Sequence, residues 1–224
     1  MSRLGRLQLL GQLPRAAMAP SQRPIQVRGA WTFTAGMAID CDGAPNAYAL
    51  PGSGRIGLDA ISNAGYMGHW VGLACDNAGK PYIQGTSDPA PGYAVSQTAL
   101  QDHSRPLSSP SRYVDADKVP YIVTPPELMG GKGVRLGDLA VALRLDRIVF
   151  CIVADIGPHS HYGEASMAAA RPLNIDDNPR SGGCSSGVTY VIFPGSAATP
   201  AWPRSVLEFQ ADAARRYADW KAAV

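Results

Sequence analysis

The sequence lacks an excess of charge of either sign. Its 224 residues contain 20 Lys and Arg against 18 Asp and Glu, and no basic run is interleaved with aromatic residues. Because nucleic acids are bound by clustered basic side chains, we expect no nucleic-acid partner. The chain also contains no apolar run of the length that crosses a bilayer, so no membrane span is predicted.

Cysteine is scarce, with four residues far apart at Cys41, Cys75, Cys151 and Cys184. Their spacing matches neither a zinc site nor a redox pair, so no metal ligand and no cofactor is predicted. Four cysteines allow three pairings, and the sequence leaves free thiols open as well. Cys151 lies inside an apolar run, where we expect a buried thiol.

The N-terminus lacks the continuous apolar core of a secretory signal. Gly5, Arg6 and Gln8 interrupt it, so we expect residues 1–28 to be a flexible leader and not a general secretory signal. A cleaved or specialised export route stays open. No internal repeat or long linker divides the remainder, and residues 29–224 are predicted to form one domain.

Glycine and proline are plentiful, with 24 and 19 residues, and such punctuation favours short strands joined by turns. Alternation and β-branched runs predict strands at 31–34, 91–100, 119–124, 137–143, 147–155 and 188–196. They also predict a short strand that begins at 37 and runs into a loop at 42–48, and a hairpin over residues 70–84. Helical spacing predicts a short helix or helical turn at 58–66, a helix at 165–173 and an amphipathic helix at 205–223. The predicted class is a β-rich α+β domain with peripheral helices.

The stretch from residue 147 to 166 has the pattern of a two-acid active site. An apolar run ends at Asp155, and Gly157-Pro158 then indicates a turn. Glu164 follows at the start of an alanine-rich segment. Hydrolysis of a glycosidic bond needs one protonated carboxyl group for the leaving oxygen and one carboxylate that activates water or attacks the anomeric carbon. We expect burial to disfavour the charge of Asp155 and Glu164 to be more exposed. The alternative is an ordinary strand, turn and helix start.

Short motifs follow one another at residues 42–48 (DGAPNAY), 57–65 (GLDAISNAG), 70–72 (WVG), 91–96 (PGYAVS), 112–115 (RYVD), 119–123 (VPYIV), 154–158 (ADIGP), 163–166 (GEAS) and 190–196 (YVIFPGS). Together they resemble the fungal-type chitosanases of glycoside hydrolase family 75. A single motif would be weak, but the ordered set is specific. The family pattern has Gly-Glu-Gly-Ser where this chain has Gly-Glu-Ala-Ser, a change that leaves the carboxylate in place.

The resemblance implies an endo-acting, inverting hydrolase of chitosan-like polymers of β-1,4-linked glucosamine, with Asp155 and Glu164 as the essential acids. Inversion requires the two carboxyl groups to lie roughly 6.5 to 9.5 Å apart, so that a water molecule fits between them and the sugar. The strand-end acid is also similar to that of the double-psi β-barrels of lytic transglycosylases and related cellulases. The implied fold is a six-stranded double-psi-like β-barrel, and the implied partner is a polysaccharide.

Other polar residues in or beside the motifs are candidates for substrate binding. Asp42, Asp59 and Asp76 could line a cleft for a sugar polymer, with a purely structural role as the alternative for each. The aromatic residues Tyr48, Trp70 and Tyr93 could stack on sugar rings or belong to the core. His159 and His161 lie between the two acids, and without a third ligand at suitable spacing they are better explained as loop residues that contact substrate or solvent than as metal ligands.

Two other functions stay open. Peptidoglycan has the same linkage between amino sugars, so the chain could be an antibacterial effector that cuts cell walls, with a secretion machine or an immunity protein as partner. Outside the enzymes, the alternative is a carbohydrate-binding barrel without catalysis, against which the presence of both acids argues. Each hydrolase acts on a polymer outside the cytoplasm, so we expect a protein that is secreted or delivered there without a classical signal.

Overall fold

The computed structural model describes residues 23–223, whose main feature is a seven-stranded sheet beside a small two-stranded one. The strands are β1 (Ile25–Val27), β2 (Ala30–Asp40), β3 (Gly65–Tyr66), β4 (His69–Trp70), β5 (Tyr121–Thr124), β6 (Leu139–Arg144), β7 (Arg147–Ile156), β8 (Glu164–Ser166) and β9 (Cys184–Ile192). The α-helices are α1 (Met167–Ala170) and α2 (Val206–Ala222). Short 3-10 turns occupy Ile61–Ala64, Pro110–Arg112, Pro126–Leu128, Gly130–Lys132 and Arg171–Leu173.

The large sheet closes on itself. Its strands lie in the order β1-β2-β8-β5-β7-β6-β9, and β9 pairs back onto β2. This last pairing turns the six strands from β2 to β9 into a barrel, while β1 only adds to the edge of β2. Two of the barrel pairs, β2–β8 and β5–β7, are parallel, and the other four are antiparallel. The predicted six-stranded barrel in a mostly β single domain is confirmed.

Strand β2 shows how one long strand serves two neighbours. Its first part pairs with β9 and its last three residues pair with β8. A register shift between Ala35 and Met37 lies within the part that pairs with β9, just before the β8 pairing begins at Ala38, and such a bulge bends a strand without ending it. The two short strands expected at 31–34 and from 37 are therefore one strand of 11 residues.

The C-terminal helix α2 covers part of the barrel wall, as its amphipathic pattern predicted. Phe209 and Ala213 are fully buried on its inner face, and the helix packs against β6 and β7. Near its end, the Trp220 indole N–H donates a 3.0 Å hydrogen bond to the Val27 carbonyl of β1. One helix therefore ties the first described strand to the barrel.

One strand prediction was wrong, and one helix prediction was wrong at its first residues. Between β2 and β5 the chain forms isolated bridges, such as Leu73 with Ser96 and Ile83 with Ala94, in place of a regular strand at 91–100. Frequent Gly and Pro residues interrupt any longer ladder there. The helix expected at 165–173 ends at Leu173 as predicted but begins only at Met167, because Glu164–Ser166 forms a strand that pairs with β2 and β5.

Several expectations concern the ends of the chain and its thiols. Residues 1–22 of the expected leader lie outside the described residues, and the first described strand, at Ile25–Val27, falls within the leader's expected range. The four cysteines are free thiols, and Cys151 is buried as expected. Within residues 23–223, no helix is both long and apolar enough to span a bilayer.

Gly43 is expected to be essential for the stability of the loop that follows β2. Its φ is +78°, its N–H donates to Ser96 Oγ at 3.0 Å, and a Cβ there would collide with the Val114 carbonyl. Gly43→Ala should therefore lower the free energy of unfolding in urea by about 2 to 4 kcal/mol. Gly187→Ala is the matched control, since Gly187 has φ +86° with open space around it and should lose only about 1 kcal/mol. Equal losses in both variants would contradict the steric argument.

Candidate active site

Asp155 and Glu164 lie in one row across three neighbouring strands. Val123 on β5 is the register partner of Asp155 on β7 and also of Glu164 on β8. Residues paired in this way project from the same face of a sheet, and adjacent strands lie about 4.8 Å apart. The two acids therefore flank Val123 with their Cα atoms about 10 Å apart.

The end of β2 brings two more carboxyl groups to this face. Ala38 continues the row as the partner of Glu164, and Asp40 follows two positions later on the same side of β2. Asp42 lies just beyond the strand end. Oxygen atoms of Asp40, Asp42 and Asp155 all lie within 4.8 Å of one another. Three acids from two strand ends thus form a cluster, which we call the aspartate cluster.

Hydrogen bonds hold each member of the aspartate cluster differently. Asp155 Oδ1 accepts the backbone N–H groups of Ala99, at 3.0 Å, and of Ile156, at 2.8 Å. Asp40 Oδ1 accepts the N–H of Asp42 at 2.9 Å, and Asp40 Oδ2 accepts the Tyr121 hydroxyl at 3.0 Å. Backbone donors orient Asp155, whereas a buried phenol helps to orient Asp40.

Asp42 is held by hydroxyl groups. The Tyr48 hydroxyl donates to Asp42 Oδ1 at 2.7 Å, and Ser96 Oγ lies 3.5 Å from the same oxygen. Gly72 packs against this carboxyl group, where a Cβ would come within 3.1 Å of both oxygens. The loops after β2 therefore enclose Asp42 and leave little space behind it.

Burial and mutual repulsion disfavour ionisation in the cluster. Burial, followed by the charges of Asp40 and Asp155, raises the pKa of Asp42 well above its ordinary value. Burial and the charge of Asp40 do the same to the pKa of Asp155, against the opposing effect of its two backbone donors. Burial likewise raises the pKa of both tyrosine hydroxyls, Tyr48 and Tyr121, so each keeps its proton and remains a donor.

Glu164 is more enclosed than the sequence suggested. Its side chain is buried on β8, and the expectation of an exposed acid at a helix start was wrong because the residue pairs with strands on both sides. His161 Nε2 lies 3.9 Å from Glu164 Oε2, beyond hydrogen-bond distance, and this buried nitrogen has no hydrogen-bond partner in the described chain. Gly157 borders the carboxylate as well, since a Cβ there would lie 3.5 Å from Glu164 Oε2 and 3.1 Å from Val123 Cγ1.

A cavity of about 430 Å³ opens next to the segment that holds Asp155. Ala99, whose N–H binds Asp155, forms part of its wall together with the polar residues Gln101 and His103. Leu136 and Trp202 contribute an apolar side. The cavity is therefore lined by both polar and apolar residues, and neither Asp155 nor Glu164 is among them.

The other predicted site residues are divided between the cluster and more distant loops. Asp42 belongs to the aspartate cluster. Tyr48 is buried, with its ring in the core, and its hydroxyl donates a hydrogen bond to Asp42. Asp59 is also buried and accepts the Ala60 N–H and the Asn63 amide. Asp76 closes an exposed turn by accepting the N–H groups of residues 78 and 80. These last two carboxylates stabilise local loops.

The remaining candidates lie at the surface. Tyr93 donates to the Ile56 carbonyl at 3.2 Å, and the guanidinium of Arg55 lies over its ring. His159 is exposed and bonded to Glu127 at 3.0 Å, apart from the two acids. Trp70 lies on the exposed β3–β4 hairpin, two residues before Gly72, which packs against Asp42.

Sequence reasoning missed Asp40, Tyr121 and Ala99. Asp40 ends an apolar strand just as Asp155 nearly does, and this shared position was the signal that could have identified it. Tyr121 and Ala99 had no such signal, because a tyrosine in a β-prone run and an alanine N–H are unremarkable until the fold brings them to a carboxylate.

Carboxylate oxygens are also the ligands that Ca²⁺ and Mg²⁺ prefer. Among the residues described, the aspartate cluster is the group that could hold such an ion. Protein donors already bind each of its carboxyl groups. The printed donors occupy Oδ1 of Asp42 and of Asp155 and both oxygens of Asp40, so hydrogen bonds from the chain itself orient the cluster.

A closed barrel with four carboxyl groups on one face has the chemistry of a glycoside hydrolase, which breaks its bond with paired acids. The model of the family described as fungal chitosanase of glycosyl hydrolase group 75 matches residues 37–220. The chain belongs to this family and is a chitosanase-like glycoside hydrolase acting on a polysaccharide. No curated protein matches the chain.

The raised pKa of Asp155 makes a prediction about stability. When folding raises the pKa of a carboxyl group, the free energy of unfolding falls as pH rises from the ordinary Asp value of about 3.9 towards the folded value. Asp155→Asn keeps an oxygen for the two N–H donors and removes the charge. At pH 7 its free energy of unfolding, measured in urea, should exceed that of the wild type by about 1 kcal/mol. This difference should shrink near pH 3.

The control for this measurement is Asp146→Asn, which removes an exposed carboxylate at the opposite end of β7. Its stability should follow the wild type at both pH values. If Asp155→Asn is less stable than the wild type at pH 7, the ionised carboxylate stabilises the fold and the argument from repulsion is wrong.

Proposed function

We propose that the protein is an endo-acting chitosanase that hydrolyses β-1,4 bonds between glucosamine units with inversion, using Asp155 as general acid and Glu164 as general base. The observation that carries this proposal is the row Glu164–Val123–Asp155, in which both acids project from one face on either side of a single residue. Acids at such positions can address the same glycosidic bond from two sides.

The spacing of the row supports inversion. Cα atoms about 10 Å apart suit carboxyl groups separated by roughly 6.5 to 9.5 Å, the distance that leaves room for a water molecule. A retaining enzyme needs its carboxyl groups only about 5 to 5.5 Å apart, because one of them attacks the sugar directly. Strand β5, which carries Val123, lies between the strands of the two acids and pairs with both.

The environment of Asp155 supports its role as the acid. Burial and the charge of Asp40 raise its pKa, which favours the protonated form that a general acid requires. In the reaction, Asp155 gives its proton to the glycosidic oxygen as the bond to the anomeric carbon breaks. Glu164 accepts a proton from the water that attacks the opposite side of that carbon.

The charge of the site supports chitosan over peptidoglycan. The charged groups that raise the pKa of Asp42 and Asp155 are acidic: Asp40 and Glu164 act on both residues, and Asp155 acts on Asp42 as well. Such a site attracts the ammonium groups of glucosamine, whereas the acetylated amino sugars of peptidoglycan carry no such charge. A chitosan substrate also places the activity outside the cytoplasm.

The test measures reducing ends released from chitosan and, separately, from peptidoglycan sacculi. We expect release from chitosan, with the new ends in the inverted α configuration by NMR when the products are observed early. Asp155→Asn and Glu164→Gln should each lower kcat by about 100-fold or more, because each removes one proton-transfer group. Asp146→Asn should keep full activity.

Release from sacculi but not from chitosan would assign the enzyme to cell walls. Release from neither substrate would contradict the proposal, and so would full activity in either acid variant. Circular dichroism and urea unfolding of the same variants separate lost chemistry from lost folding.

A further inference from the structure

Asp42 has no role in the two-acid reaction, yet it lies against Asp155. Oxygen atoms of the two residues, together with Asp40, fall within 4.8 Å of one another. Structural carboxylates elsewhere in the protein bind turn N–H groups, as Asp76 does. Asp42 instead accepts the Tyr48 hydroxyl on one oxygen and faces other acids, which calls for a different explanation.

The donors show which oxygen of Asp155 can carry a proton. Both of its backbone hydrogen bonds go to Oδ1, from Ala99 and Ile156. An oxygen that accepts two N–H groups is the carbonyl oxygen when the group is protonated, so the proton belongs on Oδ2. The backbone thereby directs an O–H donor out of Asp155.

The neighbours of Asp155 stabilise negative charge on the other two acids. Tyr48 donates to Asp42, and Tyr121 donates to Asp40. Both phenols keep their protons, because burial and the nearby carboxylates raise the pKa of each. Like charges this close cannot all ionise easily, so neighbouring carboxyl groups hold a proton in common.

We propose that Asp42 is a positioning residue that acts through Asp155: the two carboxyl groups share one proton, and Asp42, held by Tyr48, keeps that proton on the pair until substrate arrives. The inference rests on the proposed function, in which Asp155 is the general acid. When the glycosidic bond breaks, the proton leaves Asp155 Oδ2 for the leaving oxygen, and the pair then regains one proton from solvent. Neither an oxidant nor a cofactor is needed.

The charged and titratable groups around the pair come from four parts of the fold. Asp40 faces it from β2, Glu164 from β8 and Tyr121 from β5. Cys41 and Tyr48 lie on the segment after β2, and burial followed by the charges of Asp42 and Asp40 raises the pKa of Cys41, so the thiol stays neutral. The pair is therefore surrounded by acids and by neutral donors.

The test compares pH profiles of kcat/KM on a glucosamine oligomer for the wild type and Asp42→Asn. The asparagine keeps an oxygen for Tyr48 but cannot share a proton or repel a second anion. The alkaline limb should move to lower pH by about one unit or more, while activity on the acid side changes little. Loss of packing alone would lower activity at every pH without moving the limb, and that result would overturn the proposal.

A second measurement does not depend on activity. The carboxyl carbon of Asp155 is followed by ¹³C NMR in aspartate-labelled protein and assigned by its absence from Asp155→Asn. In Asp42→Asn this carbon should titrate at lower pH than in the wild type. An unchanged titration would overturn proton sharing even in an active enzyme, whereas a shifted titration in a protein that cleaves no chitosan would leave the pair intact and reject the proposed function alone.

Tyr48→Phe keeps the test decisive if Asp42→Asn does not fold. The variant retains both carboxyl groups and removes only the hydroxyl that stabilises the Asp42 anion. The shared proton should then move towards Asp42, so the Asp155 carbon shifts towards its ionised position at neutral pH and kcat/KM falls several-fold. An Asp155 signal identical to the wild type would contradict the proposal. Asp146→Asn serves as the control for a distant loss of charge.

Discussion

The three-residue strand β8 is the constraint on which the rest of the structure depends. It pairs in parallel with β2 and antiparallel with β5, so the barrel has no complete wall without it. Its last residue, Ser166, is fully buried and uses one hydroxyl three times: it accepts the N–H groups of Tyr121 and Ala169 and donates to the Val119 carbonyl. The same hydroxyl thus joins two strands and begins α1.

The position of β8 also determines the site. Because β5 lies between β7 and β8, Asp155 and Glu164 are separated by one strand, with Val123 of β5 between them. The end of β2, on the other side of β8, adds Asp40 and the start of the loop that carries Asp42. Barrel closure and the gathering of carboxyl groups are therefore consequences of the same pairings.

Gathering these acids opposes stability. Each carboxyl group is at least partly buried and lies near others of the same charge, which is why the pKa values of Asp42 and Asp155 rise. The remainder of the fold compensates through a well-buried core that includes most of β6 and the end of β9 from Tyr190 to Ile192. Active sites often contain such unfavourable groups, because the reaction needs an acid that holds its proton near neutral pH.

Much of the fold could be predicted from the residues, and the failures have physical causes. β6 and β7 were predicted because continuous β-branched and apolar runs have few other stable conformations, and α2 because its apolar residues recur with helical spacing. The run at 91–100 begins with Pro91 and Gly92 and contains polar residues, and its hydrogen bonds go to single bridges and turns. Glu164 was assigned to a helix start because three residues before an alanine-rich segment carry no strand signal.

What the sequence by itself determined is the strand that delivers Asp155, the C-terminal helix and the family to which the chain belongs, since these depend on local patterns and ordered motifs. Only the tertiary structure decided that Glu164 is buried on a strand, that Asp40 and Asp42 join Asp155, and that Tyr48 serves a carboxylate. The reason is that Asp40 and Asp42 are far from Asp155 in the chain and come within 4.8 Å of it only when the barrel strands pair, while the Tyr48 hydrogen bond depends on the fold of the loop after β2.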